Sequence, residues 1–69
     1  MTIGQRINQI RNQRDMTLAQ LAKEANISQY TINTWVYRGV HPDIDALISI
    51  ADVFDISLDE LVGRNYDKR

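Results

Sequence analysis

The 69-residue sequence contains no cysteine, only one proline and one histidine, and no long run of apolar residues. Without cysteine the chain has no disulfide and no thiolate ligand for a metal, which fits a reducing compartment. The first ten residues lack the apolar core of a signal peptide, and no stretch approaches the roughly twenty apolar residues that cross a bilayer. These absences favour a cytoplasmic protein that binds no membrane.

Residue sets that carry out catalysis are also missing. There is no Ser/His/Asp or Cys/His combination and no glycine-rich phosphate loop. The carboxylates of the second half fall at expected helix starts or on outer faces, where acidic side chains favour helix N-termini. His41 is the only histidine, so it has no second imidazole with which to hold a metal. We therefore predict no enzyme, no cofactor, no metal and no small-molecule ligand.

The formal net charge of −1 argues mildly against nucleic acid, because domains that bind it are often basic. The distribution of charge weakens that objection. Residues 1–41 contain five basic and two acidic side chains, a balance of +3, whereas residues 42–69 contain three and seven, a balance of −4. An acidic surface does not lie against phosphates. Any face that binds nucleic acid is therefore expected in the first forty residues, with a shallow dependence on salt.

The sequence does contain a succession of short helix patterns, each opened by a capping residue. Three of them begin with capping boxes, in which a Ser or Thr is followed three residues later by Gln or Glu: Thr2 with Gln5, Thr17 with Gln20, and Ser57 with Glu60. Ser28 and Asp43 open the other two, and Gly39 and Pro42 separate these. We predict a compact all-α domain of five helices over residues 1–64, followed by a frayed tail over residues 65–69.

The helical spacing of apolar residues predicts which side chains form the core. The core candidates are Ile7, Ile10, Leu21, Ile32, Trp35, Leu47, Ile50 and Leu61.

Residues 17–39 predict two short helices joined by a tight turn at Asn26, a residue that tolerates the left-handed conformation. The second of these helices buries one apolar face and leaves four uncharged, hydrogen-bonding side chains on the other. These are Gln29, Tyr30, Asn33 and Thr34. Such a face suits the base edges of a DNA major groove, so we predict that these four residues contact bases.

Several short elements, in order along the chain, resemble the lambda-repressor-like helix-turn-helix family, also called the XRE or Cro type. They are Leu21-Ala22, Ile27-Ser28, Thr31-Ile32, Trp35, Gly39 and Pro42. The resemblance covers roughly residues 3–63 and implies a five-helix domain that binds double-stranded DNA. It also implies phosphate contacts at the starts of helices 2 and 3 and after helix 3, which here are Thr17, Leu18, Ser28, Arg38, Gly39 and His41.

The chain departs from the family pattern at three positions. Leu18 stands where a Gln often contacts phosphate, so Gln20 or the backbone amides would have to substitute. Val36 stands where a Glu often pairs with an Arg of helix 1, which leaves Arg11 available for a phosphate or for Asp15. Tyr30 is bulkier than the Ser or Gln common at its position.

Helices 4 and 5 contain more apolar side chains than one side of so small a core needs, which favours a dimer interface. The predicted interface residues are Ile48, Val53, Phe54, Ile56, Leu58 and Val62. The competing explanation is that these helices only cover helices 1 to 3.

The sequence as a whole predicts a sequence-specific DNA-binding transcriptional regulator, acting as a repressor dimer on a palindromic operator. The alternative is a protein-interaction module, such as an antitoxin or a regulator adaptor, that binds a protein partner through helices 4 and 5.

Overall fold

The computed structural model describes residues 1–63, which form five α-helices and no strand within that range. In chain order they are α1 (Ile3–Gln13), α2 (Leu18–Ala25), α3 (Gln29–Arg38), α4 (Ile44–Phe54) and α5 (Leu58–Val62). The predicted all-α, five-helix fold is thus confirmed. The prediction of a frayed tail over residues 65–69 lies outside the described residues.

All three predicted capping boxes are formed. In the first, the Thr2 Oγ1 accepts the amide of Gln5 at 3.1 Å, and the Gln5 Oε1 accepts the amide of Thr2 at 2.9 Å. The boxes that open α2 and α5 repeat this reciprocal arrangement. Each box satisfies two backbone donors that a helix N-terminus would otherwise leave unpaired. Side-chain capping therefore fixes where these helices begin.

Helices α2 to α5 each end at a residue in the left-handed conformation. Asn26 ends α2 with φ 58° and Gly39 ends α3 with φ 74°, as the sequence predicts. Asp55 ends α4 in the same way with φ 57°. The Asn26 geometry gives the sharp turn that sets α3 across α2.

All eight predicted core residues are buried. Three alanines and Phe54 complete the buried hydrophobic core: Ala22, Ala25, Ala51 and Phe54. Phe54 corrects the predicted dimer interface, because its side chain has no exposed surface and lies in the core of the single chain. The Arg14 guanidinium lies over its ring, 5.3 Å from the centroid, at cation–π distance.

Gly4 allows α1 and α3 to approach unusually closely. A Cβ at this position would lie 1.9 Å from the carbonyl oxygen of Trp35 and 2.9 Å from the amide nitrogen of Val36. No side chain fits at such distances, so the backbones of the two helices are in direct contact. This contact holds α3, with its exposed face, against the rest of the domain.

Within residues 1–63, none of the helices has the length and apolar character needed to cross a membrane.

Candidate nucleic-acid interface

The helix α3 has one buried and one exposed face. Ile32 is fully buried and Trp35 is 3% exposed, so these side chains anchor the helix in the core. Gln29 and Tyr30 are exposed in its first turn, Tyr30 to 71%. Asn33 and Thr34, one turn later, are half-buried. The structure thus brings the four predicted base-contacting residues together on one helix, with the N-terminal pair the most accessible.

In both residues of the second turn, part of the hydrogen-bonding capacity is unavailable to a ligand. The Thr34 Oγ1 donates to the carbonyl oxygen of Thr31 at 2.6 Å. The Asn33 Oδ1 is buried and has no hydrogen-bond partner among residues 1–63. Gln29 and Tyr30 make no side-chain hydrogen bond within the same range. The four positions therefore differ in what they can offer a ligand.

The N-terminus of α2 presents two backbone donors. The Thr17 amide donates to the Gln20 Oε1 at 2.8 Å, and the Gln20 amide donates to the Thr17 Oγ1 at 3.0 Å. The amides of Leu18 and Ala19 have no partner within residues 1–63. A helix N-terminus with unpaired amides favours an anion. The side-chain oxygen of Gln20 is occupied by the cap, so the backbone of Leu18 and Ala19 is the donor surface here.

Ser28 serves mainly as the cap of α3. Its Oγ accepts the Thr31 amide at 3.1 Å and lies 2.7 Å from the Thr31 hydroxyl. This use explains the position of Ser28 at the turn. The amides of Gln29 and Tyr30, which follow it, are the first-turn donors of α3.

The segment after α3 presents an exposed cation and an exposed imidazole. Arg38 is exposed at the C-terminal end of α3, and Gly39 turns the chain away from the helix axis. The His41 Nδ1 lies 2.9 Å from the carbonyl oxygen of Pro42. A carbonyl can only accept, so Nδ1 is the protonated nitrogen of this contact and Nε2 faces away from it. Arg38, Gly39 and His41 thus form a short polar surface beside α3.

Arg11 has a structural role that the sequence analysis did not predict. Its Nε and NH2 groups donate to the Asn8 Oδ1 at 2.8 and 2.6 Å, and its NH1 donates to the carbonyl oxygen of Met16 at 2.8 Å. The guanidinium therefore clamps the α1–α2 connection. With Nε, NH1 and NH2 all donating within the fold, it neither pairs with Asp15 nor is available for the predicted phosphate contact. Asn8, one helical turn before Arg11, was the available sequence signal.

Two further arginines of the basic half are also engaged within the fold. Arg6 donates to the carbonyl oxygen of Glu60 at 2.8 Å, which ties α1 to α5, and Arg14 covers the Phe54 ring. Of the five basic side chains in residues 1–41, Arg6 and Arg11 make side-chain hydrogen bonds and Arg14 makes the cation–π contact, whereas Lys23 and Arg38 make neither among residues 1–63. The interface therefore has few cationic side chains without contacts inside the domain, and most of its donors are neutral.

Comparison with known proteins places this geometry in a family. The helix-turn-helix family pattern matches residues 7–61, which is most of the chain. The chain belongs to the lambda-repressor-like helix-turn-helix family. An immunity repressor protein of Bacillus phage phi105 is 35% identical over 63 residues, covering 91% of this chain and 44% of that protein. The transcriptional activator BcrR of Enterococcus faecalis is 27% identical over 63 residues, covering 91% of this chain and 31% of that protein.

A solved structure supports the fold independently. The P22 c2 repressor, in complex with a synthetic operator, superposes with a TM-score of 0.80 over 94% of this chain and 98% of that chain. At 23% identity, this likeness concerns the fold. The family consists of transcriptional regulators rather than enzymes, which confirms the prediction that the chain is no enzyme. The chain spans about half or less of the length of both curated relatives described here.

Proposed function

We propose that this chain binds double-stranded DNA at specific sequences and thereby regulates transcription. One observation carries the proposal: α3 is anchored by Ile32 and Trp35 and presents uncharged donors and acceptors on its opposite face. Uncharged polar groups on a rigid helix are suited to base edges, since they distinguish donor from acceptor patterns in the major groove. Family membership and the named phage repressor relative support the same function.

The N-terminal end of α3 enters the major groove in this proposal, so that Gln29 and Tyr30 reach bases first. The amides of Leu18 and Ala19 donate to one phosphate and the Arg38–His41 segment contacts another, which fixes the register of α3 on the duplex. A second copy of the chain docks through α4 and α5 and contacts a half-site about one helical turn away. Repression by occlusion in the cytoplasm is the proposed output, because DNA held by such a dimer is inaccessible to polymerase.

Selection from random double-stranded DNA tests the function directly. Purified protein is expected to enrich one palindromic site, with half-sites about ten base pairs apart, at about 150 mM salt. A folded protein that enriches no sequence over the input pool would overturn the proposal. Enrichment of a single half-site would support DNA binding and overturn the dimer.

Substitutions at Gln29 and Arg38 are expected to affect binding in different ways. Gln29→Ala should remove about 1–3 kcal/mol of discrimination at one base step, because an amide can pair with a base edge. Arg38→Ala should weaken cognate and scrambled DNA alike and lower the salt slope by about one, because a phosphate contact carries no sequence information. Titrations of both variants on both DNAs measure this. Equal losses on the two DNAs for both variants would contradict the division.

Dimerisation rests on a smaller apolar surface than the sequence predicts. Val53, Ile56 and Leu58 are half-buried and pack on the core. Among the predicted interface residues, the exposed ones are Ile48, at 43%, and Val62, at 40%. Helices α4 and α5 thus partly cover the core and partly present an apolar surface, to which Ile44 adds.

Ile48→Asp is expected to raise the dimer dissociation constant at least tenfold, since it places a charge in an apolar contact. Sedimentation equilibrium measures this constant. Asn12→Asp adds the same charge on the exposed side of α1 and serves as the matched control. An unchanged dissociation constant for Ile48→Asp would show that α4 is not the interface.

The exposed apolar side chains of α4 and α5 also keep the protein-interaction alternative open. Binding to DNA weakens as salt rises, with a slope set by the number of phosphate contacts. With Arg38 and Lys23 as the basic side chains outside the intramolecular contacts, we expect a shallow but measurable slope. Binding to an apolar partner changes little over the same range, so a salt titration distinguishes the two functions.

A further inference from the structure

The α3 helix carries two amide side chains, Gln29 and Asn33, which differ in how much of each is accessible. Gln29 is exposed and makes no side-chain hydrogen bond among residues 1–63. Asn33 is half-buried, and its Oδ1 is buried with no partner in the same range. The Nδ2 of Asn33 is therefore the end of the amide that faces outward. The two amides lie four residues apart on one helical stripe, so they can approach neighbouring bases.

The buried oxygen restricts what Asn33 can recognise. The bidentate pairing of an amide with adenine uses both ends of the amide, because the oxygen accepts from N6 while the nitrogen donates to N7. With Oδ1 inside, Asn33 can only donate. The opposite orientation would place an amino group with two donors where the structure has a single acceptor, and burial costs more for two unpaired donors than for one unpaired acceptor.

From this geometry we infer that Asn33 is a specificity-determining residue that donates through Nδ2 alone and selects guanine. Guanine presents two adjacent acceptors, N7 and O6, to the major groove, whereas adenine places a donor beside its N7, cytosine presents a donor, and thymine presents the single acceptor O4 beside its methyl group. The inference rests on the proposed DNA binding and names what the second turn of α3 recognises.

The neighbouring Thr34 is restricted in the opposite sense. Its hydroxyl proton is directed to the Thr31 carbonyl oxygen, so it presents lone pairs and a methyl group outward. Thr34 therefore cannot supply a donor in place of Asn33. Loss of the Asn33 amide leaves the second turn of α3 without a side-chain donor toward the groove.

The experiment compares the wild-type chain with Asn33→Ala by selection from random double-stranded DNA. The variant is expected to lose a guanine preference at one position of each half-site and to keep the others. Gln29→Ala is the matched control and should alter a different position. Asn33→Ala should fold with an unchanged or higher melting temperature, because it removes a buried unpaired oxygen and no hydrogen bond.

Base analogues at the selected position then test the single-donor contact. Replacing the guanine by 7-deazaguanine, which lacks the N7 acceptor, or by 2-aminopurine, which lacks O6, is expected to weaken the wild-type chain. For at least one analogue the loss should be about three- to tenfold, the size expected for one hydrogen bond. Neither analogue should further weaken Asn33→Ala.

Four results would overturn the inference. Selection of any base other than guanine at that position excludes the assignment. An adenine whose N6 amino group is required by the wild-type chain, but not by Asn33→Ala, would show a two-ended contact. An unchanged motif for Asn33→Ala would remove Asn33 from recognition while leaving the proposed function intact. If the wild-type chain itself enriches no site, the proposed function fails and this inference fails with it.

Discussion

Gly4→Ala is expected to destabilise the domain by about 2 kcal/mol or more, although the change favours helix formation. Alanine in a helix interior gains up to about 1 kcal/mol over glycine. Against this, the added Cβ would lie 1.9 Å from the Trp35 carbonyl oxygen, so α1 and α3 must separate. Overpacking of this kind costs about 1–3 kcal/mol and sometimes more. Because both contacts are backbone atoms, no side-chain rotation relieves the clash, and the packing term outweighs the propensity.

The melting temperature measures this effect. A domain of this size loses about 4–8 °C for each kcal/mol, so Gly4→Ala should melt about 10 °C or more below the wild-type chain. Asn12→Ala, at an exposed position of α1, is the control and should change stability by a few tenths of a kcal/mol. A Gly4→Ala protein as stable as the wild type would show that α1 and α3 do not pack this closely.

The positions of the helices could be predicted from local chemistry. Thr2, Thr17 and Ser57 each precede a Gln or Glu by three residues, and a reciprocal pair of hydrogen bonds between such residues depends on no distant part of the chain. The same is true of the left-handed turn at Asn26. Apolar periodicity identified the core for a related reason, since it records which helix face is buried.

The long-range contacts could not be predicted in the same way. Gly4 lies within a helix pattern, and only the position of α3 shows why a side chain is excluded there. Charge alone does not predict that Arg6, Arg11 and Arg38 have different roles. The guanidinium groups of Arg6 and Arg11 nevertheless donate to backbone carbonyl oxygens of the domain, whereas Arg38 is exposed. Apolar composition likewise did not separate buried from exposed residues in α4, where Phe54 and Ile48 lie six positions apart.

The Arg11 clamp changes how the family resemblance applies to this chain. A missing Glu at Val36 implied an arginine without a partner, but Asn8 and the Met16 carbonyl provide three hydrogen bonds to it. Two neutral acceptors close in sequence, the Asn8 amide and the Met16 carbonyl, thus bind the arginine in place of the interhelical ion pair of the family pattern. The clamp holds the connection that leads into Thr17, so Arg11 positions the α2 N-terminus, the proposed phosphate site.

Phe54→Ala is expected to lower the free energy of unfolding by about 3–5 kcal/mol. Phe54 is fully buried, so its removal leaves a cavity among core side chains and also removes the ring beneath the Arg14 guanidinium. A chain of 69 residues has a total stability of about 3–10 kcal/mol. The variant should therefore be largely unfolded at 37 °C if the wild-type stability is at the lower end of this range.

Ile48→Ala separates core packing from association, because the Ile48 side chain is 43% exposed in the single chain. Urea denaturation at a concentration below the dimer dissociation constant should show a large loss for Phe54→Ala and a loss of about 1 kcal/mol or less for Ile48→Ala. At high concentration Ile48→Ala should instead weaken association.

If Phe54→Ala left the monomer stable and abolished the dimer, Phe54 would belong to the interface that the sequence predicts. The fold then could not have the core described here, because a ring exposed for a partner cannot also be fully buried within the single chain.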